Sequence, residues 1–481
     1  MPKPVFRTCY AMLLLSVAFA ARPAACETLD PQTRDLAHDI FKQLIEINTT
    51  DSVGNVTTAA RAMQQRFLQA GFSARDMYLG GPNDRKQNLV VRLRGSGAKK
   101  PILIIGHLDV VEAPRDEWHT DPFKFVEKDG YYYGRGTQDM KDSDAIVVTN
   151  FIRLKKEGYK PNRDLILALT ADEEGGKYNG VSWLLNTHPD LVRAEYVLNP
   201  DGGGVDLVDG KAVDVFIDAS EKMYGDFQLT VTNPGGHSSL PVPDNAIYHL
   251  ANALVRLQHH KFPFELNEVT RAYFKRLSTV ETGRTAADLE AILKPRPDPA
   301  AIARLSAQDP EWNSMMHTTC VATRLDAGLA NNALPQRAQA IVNCRILPGY
   351  TLAQIRDQLV RVFADSKVTV RYMDDAGTVH DVTPERKQLP PAKLNAEVMA
   401  AMGKIAAQMW PGAPVIPTMA AGASDDIYTM AARIPSYGIS GVAIETNDDR
   451  AHARDERLAV ASFYRGVTFY YRLLKELSGG A

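Results

Sequence analysis

From residue 30 onward, short apolar runs alternate with stretches in which apolar residues recur every three to four positions. The helical spacing covers residues 30–46, 57–70, 142–157 and 180–188, and strand-like runs occupy 88–93, 101–105, 164–169 and 195–198. This alternation predicts an α/β domain, a mixed, mostly parallel sheet with helices on both faces.

Near Gly225 the pattern changes. Residues 226–232 alternate apolar and polar, 244–258 form an amphipathic helix, 318–323 and 337–346 read as paired strands, and a helix over 351–364 and a strand over 367–372 follow. That order predicts an inserted α+β lid, two helices on a four-stranded antiparallel sheet. Within it, residues 261–313 form an excursion rich in charge and proline, with helical patches at 286–293 and 300–307, to which the pattern assigns no role. From 394 the alternation resumes: a helix to 409, a strand at 415–419, a helix over 424–432 and a final helix over 455–477. The expected organisation is a leader over 1–26, catalytic segments over 27–224 and 379–481, and the lid over 225–378 between them.

With 481 residues, 45% of them hydrophobic, the chain can bury a large core. Lys+Arg 55 against Asp+Glu 57 leaves a net charge of -2, so there is no basic surplus to attract nucleic acid. Lys3 and Arg7, the apolar stretch 10–21 and the small residues Ala24 and Ala25 have the layout of a cleavable secretory leader, which predicts a secreted or periplasmic protein. An uncleaved anchor is the alternative, but the stretch is shorter than the roughly 20 residues of a span, and no stable membrane span is expected once the leader is gone. Cys26 resembles a lipid-attachment cysteine, with Pro23 where a leucine is expected. That leaves Cys320 and Cys344 in the mature chain, on the two strands expected to pair; a disulfide and two buried thiols both fit.

Candidate chemistry lies where the apolar runs end. His107 follows the run 101–105, Glu173 and Glu174 follow 164–169, Asp201 follows 195–198, Asp139 leaves the glycine-containing turn 131–136, and His452 lies far downstream. Taken singly, Asp139 reads as a helix N-cap, the Glu pair as a solvated helix start, His107 as a buried imidazole and His452 as a surface one. Together they are ligand-type residues that one crevice at strand carboxyl ends can collect, and divalent cations would compensate such a charge cluster.

The segments His107-Leu108-Asp109-Val110, Gly134 to Lys141, Asp172 to Gly176, Gly235-Gly236-His237-Ser238-Ser239, Asn332-Ala333-Leu334-Pro335 and Arg345 to Gly349 resemble, in order, the motifs of a family of zinc amidohydrolases. That family contains aminoacylase, carboxypeptidase G, acetylornithine deacetylase and succinyl-diaminopimelate desuccinylase, and the excursion 261–313 is similar to that of its carboxypeptidase S and N-acyl amino acid hydrolase branch. The resemblance implies two zinc ions, replaceable by Co2+ or Mn2+, with Asp139 bridging, His107 and Asp201 on one, Glu174 and His452 on the other, and a cis peptide just after Asp139. It further implies that Glu173 is the general base, that Asp109 orients His107, and that His237 stabilises the oxyanion after lid closure or from a partner subunit. Arg345, with the fork that suits a carboxylate, and Asn332 are implied to hold a substrate carboxylate, with Ser424 on a nearby loop; a cross-strand salt bridge is the plainer reading of Arg345. The expected enzyme is an exported carboxypeptidase or aminoacylase acting on small peptides or N-acyl amino acids, with a homodimer through the lid. A deacylase of acetylornithine or succinyl-diaminopimelate type and a non-catalytic binding relative are the alternatives.

Overall fold

The computed structural model describes residues 29–374, 377–384 and 393–479; the expected leader, with Cys9 and Cys26, lies outside them. Strands Ile102–His107, Leu165–Thr170 and Tyr196–Asn199 run parallel at the centre of a ten-stranded sheet. Side chains alternate in direction along a strand, and here the alternation feeds two cores. Ile102, Ile104, Leu165 and Leu167 join a cluster with residues of helices Pro31–Ile45, Lys141–Lys156 and Val460–Leu477, while Leu103, Ile105, Ile166 and Ala168 pack on Val181 and Leu184 of helix Gly180–Thr187. Burial on both faces explains why these runs are apolar at nearly every position.

Antiparallel strand Asn88–Leu93 flanks Leu165–Thr170 on one side. On the other side, Ser436–Gly438 inserts between Tyr196–Asn199 and Lys211–Glu221, and Val415–Ala420 pairs parallel with Lys211–Glu221. The C-terminal segment therefore completes the sheet begun by the N-terminal one, as expected for a discontinuous domain. The final helix starts at Val460 rather than 455, because Arg457–Ala459 pair as a strand with Tyr131–Tyr133.

The inserted sheet runs Thr319–Ala327, Arg337–Ile346, Met223–Thr232, Thr369–Met373 and Val379–His380, all antiparallel. It has a fifth, two-residue strand beyond the four expected, the return arm of a hairpin. Phe227, Leu229 and Val231 pack on one face against Leu250 and Leu257 of helix Ala246–His259 and Ile355 and Leu359 of helix Leu352–Phe363. Cys320 and Cys344 stand opposite each other in register, Cα atoms 4.1 Å apart, and form a disulfide, so the reading as two free thiols does not hold.

The excursion forms four helices, Glu268–Leu277, Gly283–Ile292, Pro299–Gln308 and Pro310–Met316. Their Phe274, Leu289, Leu305 and Met316 are buried in the core of the large domain, so the four helices pack there, while Phe262 at the start of the excursion joins the lid core. Two of its prolines begin helices, after N-caps Asp298 and Asp309, a position where proline loses nothing because the first amide is unpaired anyway.

Lys222 sits where the chain passes from strand Lys211–Glu221 to strand Met223–Thr232. It is fully buried, and its Nζ donates to Ser314 O (3.0 Å), Ser314 Oγ (3.1 Å), His317 O (2.8 Å) and Thr319 Oγ1 (3.2 Å), so the chain's first entry into the lid is fastened to its second, after the excursion. Among the described residues no helix is long and apolar enough to cross a membrane.

Candidate metal centre

The carboxyl ends of the three central parallel strands place His107, the loop carrying Glu173 and Glu174, and Asp201 at one edge of the sheet. Asp139 enters from the loop before helix Lys141–Lys156, and His452 from the loop before Arg457–Ala459. Asp139 faces two imidazoles at once: Oδ1 lies 3.1 Å from His107 Nε2, and Oδ2 lies 2.9 Å from His452 Nε2. Asp201 Oδ1 is 3.7 Å from His107 Nε2, and Glu174 Oε2 is 2.9 Å from His452 Nε2. Glu173 Oε2 stands 4.0 Å from His107 Nε2. The five sequence-predicted ligand residues thus meet as two half-sites that share Asp139, with Glu173 beside them.

The facing groups govern the charge states. Against the cost of burial, His107 and His452 hold the Asp139 carboxyl well below the usual range. Contacts with Asp139 and Glu174 raise His452 to about 10. Burial, with Asp201, Asp425 and Glu174 nearby, pushes the Glu173 carboxyl up, and positive charge beside it, here that of His107, opposes the rise.

Asp109 acts differently from expectation. His107 Nδ1 meets its backbone oxygen at 3.0 Å, whereas the carboxylate is 3.9 Å from that nitrogen. The carboxylate instead accepts the amides of Glu173 (3.2 Å) and Glu174 (3.0 Å), so it fixes the glutamate loop. The other end of that loop is built on Asp172, at φ 58°, whose buried carboxylate binds Lys86 Nζ and accepts the Tyr178 amide at 3.1 Å. Gly176, at φ 112°, lies against the same carboxylate, where a Cβ would collide.

Residues that the sequence reading missed thus support the site, among them Lys86 and the buried pair Arg135 and Glu456, 2.6 Å apart. Glu456 accepts the backbone amides of Gly136 (3.1 Å), Gln138 (2.6 Å) and Asp139 (3.2 Å). Arg135 also donates to the carbonyl of His452 at 3.2 Å. In sequence these charges look like ordinary surface ions, and only Arg135, inside the glycine-containing turn, had a local signal. The peptide bond between Asp139 and Met140 is cis, as the resemblance implied.

A cavity of about 1090 Å3 opens beside the centre, lined on one side by Glu173, Glu174, Ser424 and Asp425 and on the other by Tyr224, Asp226, Arg324 and Arg345 of the lid. Arg345 lies over the Tyr224 ring at 4.8 Å. Ser424 is held by Glu221, whose Oε2 accepts its amide (2.9 Å) and hydroxyl (3.0 Å). His237 and Asn332 do not line this cavity: both are exposed at the lid edge, where His237 pairs with Ala333 in a two-stranded ribbon.

His107 Nε2 and Asp139 Oδ1 are buried and face each other at 3.1 Å without the alignment of a hydrogen bond, so neither is fully satisfied. Leaving such atoms unsatisfied costs about 1–3 kcal/mol each, and a cation between them removes that cost. Ligand atoms of His107, Asp139 and Glu174 lie within 4.8 Å of one another, and imidazole with carboxylate is a donor set for zinc-like ions. The residues therefore fit a metal.

Residues 103–476 match the model of peptidase family M20/M25/M40. The chain belongs to this family. It is 28% identical over 383 residues to an N-fatty-acyl-amino acid synthase/hydrolase of Xenopus tropicalis, covering 78% of this chain and 72% of that one. A carboxypeptidase S-like protein of Dictyostelium discoideum is 28% identical over 427 residues, 85% and 78% of the two chains. An M20 family metallo-carboxypeptidase structure from Sulfolobus solfataricus superposes with a TM-score of 0.69 at 18% identity, over 92% of this chain and 99% of that one, which shows the shared two-domain fold. This M20 chain is accordingly a metal-dependent hydrolase.

Removing metal with a chelator should lower the thermal midpoint by several degrees and adding back divalent ions should restore it, since a ligand of the folded state stabilises by mass action. The restoring shift should vanish in Asp139→Asn; equal midpoints with and without metal in the wild type would show that no ion is held.

Proposed function

We propose that this protein is an exported dizinc hydrolase that cleaves the amide bond of an N-acyl amino acid or a small peptide next to a free carboxylate. The observation that carries this reading is that Glu173, Glu174 and Arg345 line one cavity, with Arg345 contributed by the lid. The names of the relatives, a hydrolase of N-fatty-acyl amino acids and a carboxypeptidase S-like protein, support the same substrate class.

His107, Asp139 and Asp201 would hold one zinc ion and Asp139, Glu174 and His452 the other; Co2+ or Mn2+ has the ligand preferences to substitute. Bound zinc would supply Lewis-acid polarisation of the scissile carbonyl and a lowered pKa for water. Glu173 accepts the proton of the attacking water and delivers it to the amine nitrogen as the C–N bond breaks, so that a carboxylate and an amine leave. Asp109, through the two amides it binds, and Lys86, through Asp172, hold Glu173 and Glu174 at different distances from the imidazoles, which lets one act as base and its neighbour as ligand. Arg345 pairs with the substrate carboxylate, and Tyr224 supports its guanidinium from below. Ser424 shapes the facing wall, and Asn332 would join Arg345 at the substrate carboxylate once the lid edge that carries it is brought in.

His237, outside the cavity, reaches the oxyanion either when the lid closes or from a second copy. Exposed Val321 and Leu325 on the edge strand Thr319–Ala327, and Tyr248 and Val255 on helix Ala246–His259, support a homodimer through the lid. Export is supported by the charge and apolar pattern of residues 3–25 and suits the Cys320–Cys344 bond.

Glu173→Gln should retain two metal ions per chain while kcat falls by at least about 100-fold; full activity in that variant would remove the base. Amidating the substrate carboxylate should raise KM in the wild type and change little in Arg345→Met, and an equal effect in both would detach Arg345 from that group. Mixing inactive His237→Ala with Glu173→Gln should restore part of the activity if the histidine comes from a partner, and no restoration would assign it to closure within one chain. The intact mass of protein recovered from outside the cytoplasm should lack a leader of about the length that secretory signals have, and Cys320 and Cys344 should resist alkylation until reduced; a full-length or alkylated product would contradict export or the bond.

A further inference from the structure

The two halves of the centre are anchored unequally. His107 ends a buried strand, its side chain 2% exposed and its Nδ1 held by the Asp109 carbonyl. His452 stands in a loop, its side chain 54% exposed, with a backbone φ of 63°. That left-handed conformation is uncommon for a residue with a Cβ and persists where the surroundings impose it.

Arg135 supplies that constraint. Its Nη2 donates to the His452 carbonyl at 3.2 Å, its Nη1 donates to Glu456 at 2.6 Å, and its guanidinium lies 4.9 Å from the centre of the Trp118 ring. Arg135 and Glu456 are both almost fully buried, side chains 3% and 0% exposed. Glu456 reaches the other half by a separate route, through the amides of Gly136, Gln138 and Asp139. Removing Arg135 therefore releases the His452 backbone but leaves the bonds from Glu456 to the Asp139 loop, whereas removing the Glu456 charge loosens the residue that both half-sites share.

We infer that Arg135 is a positioning residue for the His452 half of the centre and sets the metal affinity of that half selectively, while Glu456 sets both. The inference rests on the two-metal reading above. It uses no contact between Arg135 and a substrate: the guanidinium acts on the backbone that presents the imidazole, as outer partners of metal ligands do.

The test is a Zn2+ titration of the metal-free, full-length protein in competition with a chromogenic chelator. The wild type should take two ions per chain. Arg135→Met should keep one ion at wild-type affinity and bind the other about tenfold or more weakly. Glu456→Gln should weaken both. Arg135→Lys keeps a cation opposite Glu456, so it serves if the methionine variant does not fold; a single ammonium cannot span both acceptors as the fork does, and the same one-ion loss, smaller in size, is expected. Two affinities within twofold of wild type in both Arg135 variants, or an equal weakening of both ions, would overturn the inference. A wild type that binds fewer than two ions would instead overturn the two-metal reading itself.

Discussion

The carboxylate of Asp139 must face two imidazoles at once, and the rest of the site is arranged to make that possible. One oxygen lies 3.1 Å from His107 and the other 2.9 Å from His452, so two segments from opposite ends of the chain have to arrive on either side of a single side chain. The parallel strands deliver His107 and Asp201 from within the sheet. The loop before strand Arg457–Ala459 delivers His452, and that strand is tied to Tyr131–Tyr133, just upstream of Asp139. The Glu456 carboxylate then closes the circuit by binding the amides that lead into Asp139. An anion buried to hold three amides and one guanidinium is tolerable because its hydrogen-bonding capacity is used.

Adjacent glutamates with different surroundings follow from the same economy of position. Glu174 is within 3.0 Å of His452, while Glu173 lies 4.0 Å from His107 and borders the cavity. Neither separation is left to side-chain freedom, since Asp109 takes both of their amides and Asp172, clamped by Lys86, shapes the turn that follows. The proposed division into base and ligand requires that the two cannot exchange places, and a backbone gripped from two sides prevents it.

Much of this is legible in the sequence. Apolar runs that end in His107, Glu173 and Asp201 announce strand ends in a sheet covered on both sides, and the change of pattern near Gly225 marks the lid. What stayed hidden has a common cause: Lys86, Arg135, Glu221 and Glu456 are charges whose partners lie elsewhere in the chain, and in sequence such residues look like solvated surface. The excursion was obscured for a different reason. Periodicity marks its helical patches but not what they pack on: Pro299 and Pro310 start helices whose apolar faces join the large core. For Asp109 the sequence shows the neighbourhood but not the bond, because spacing cannot tell whether a carboxylate or its own carbonyl meets the imidazole.

The buried Lys222 ammonium turns two crossings of the chain into a single knot, and its partner Thr319 pairs in register with Arg345. His237 lies beyond the far end of strand Met223–Thr232, roughly 30 Å away at the rise of an extended chain. Lys222 thus fastens the lid at a point close to Arg345 and far from His237. In the proposed reaction a tilt of the lid about that knot would carry the distant imidazole far and the guanidinium little, so the substrate carboxylate would keep nearly one place while His237 is brought in.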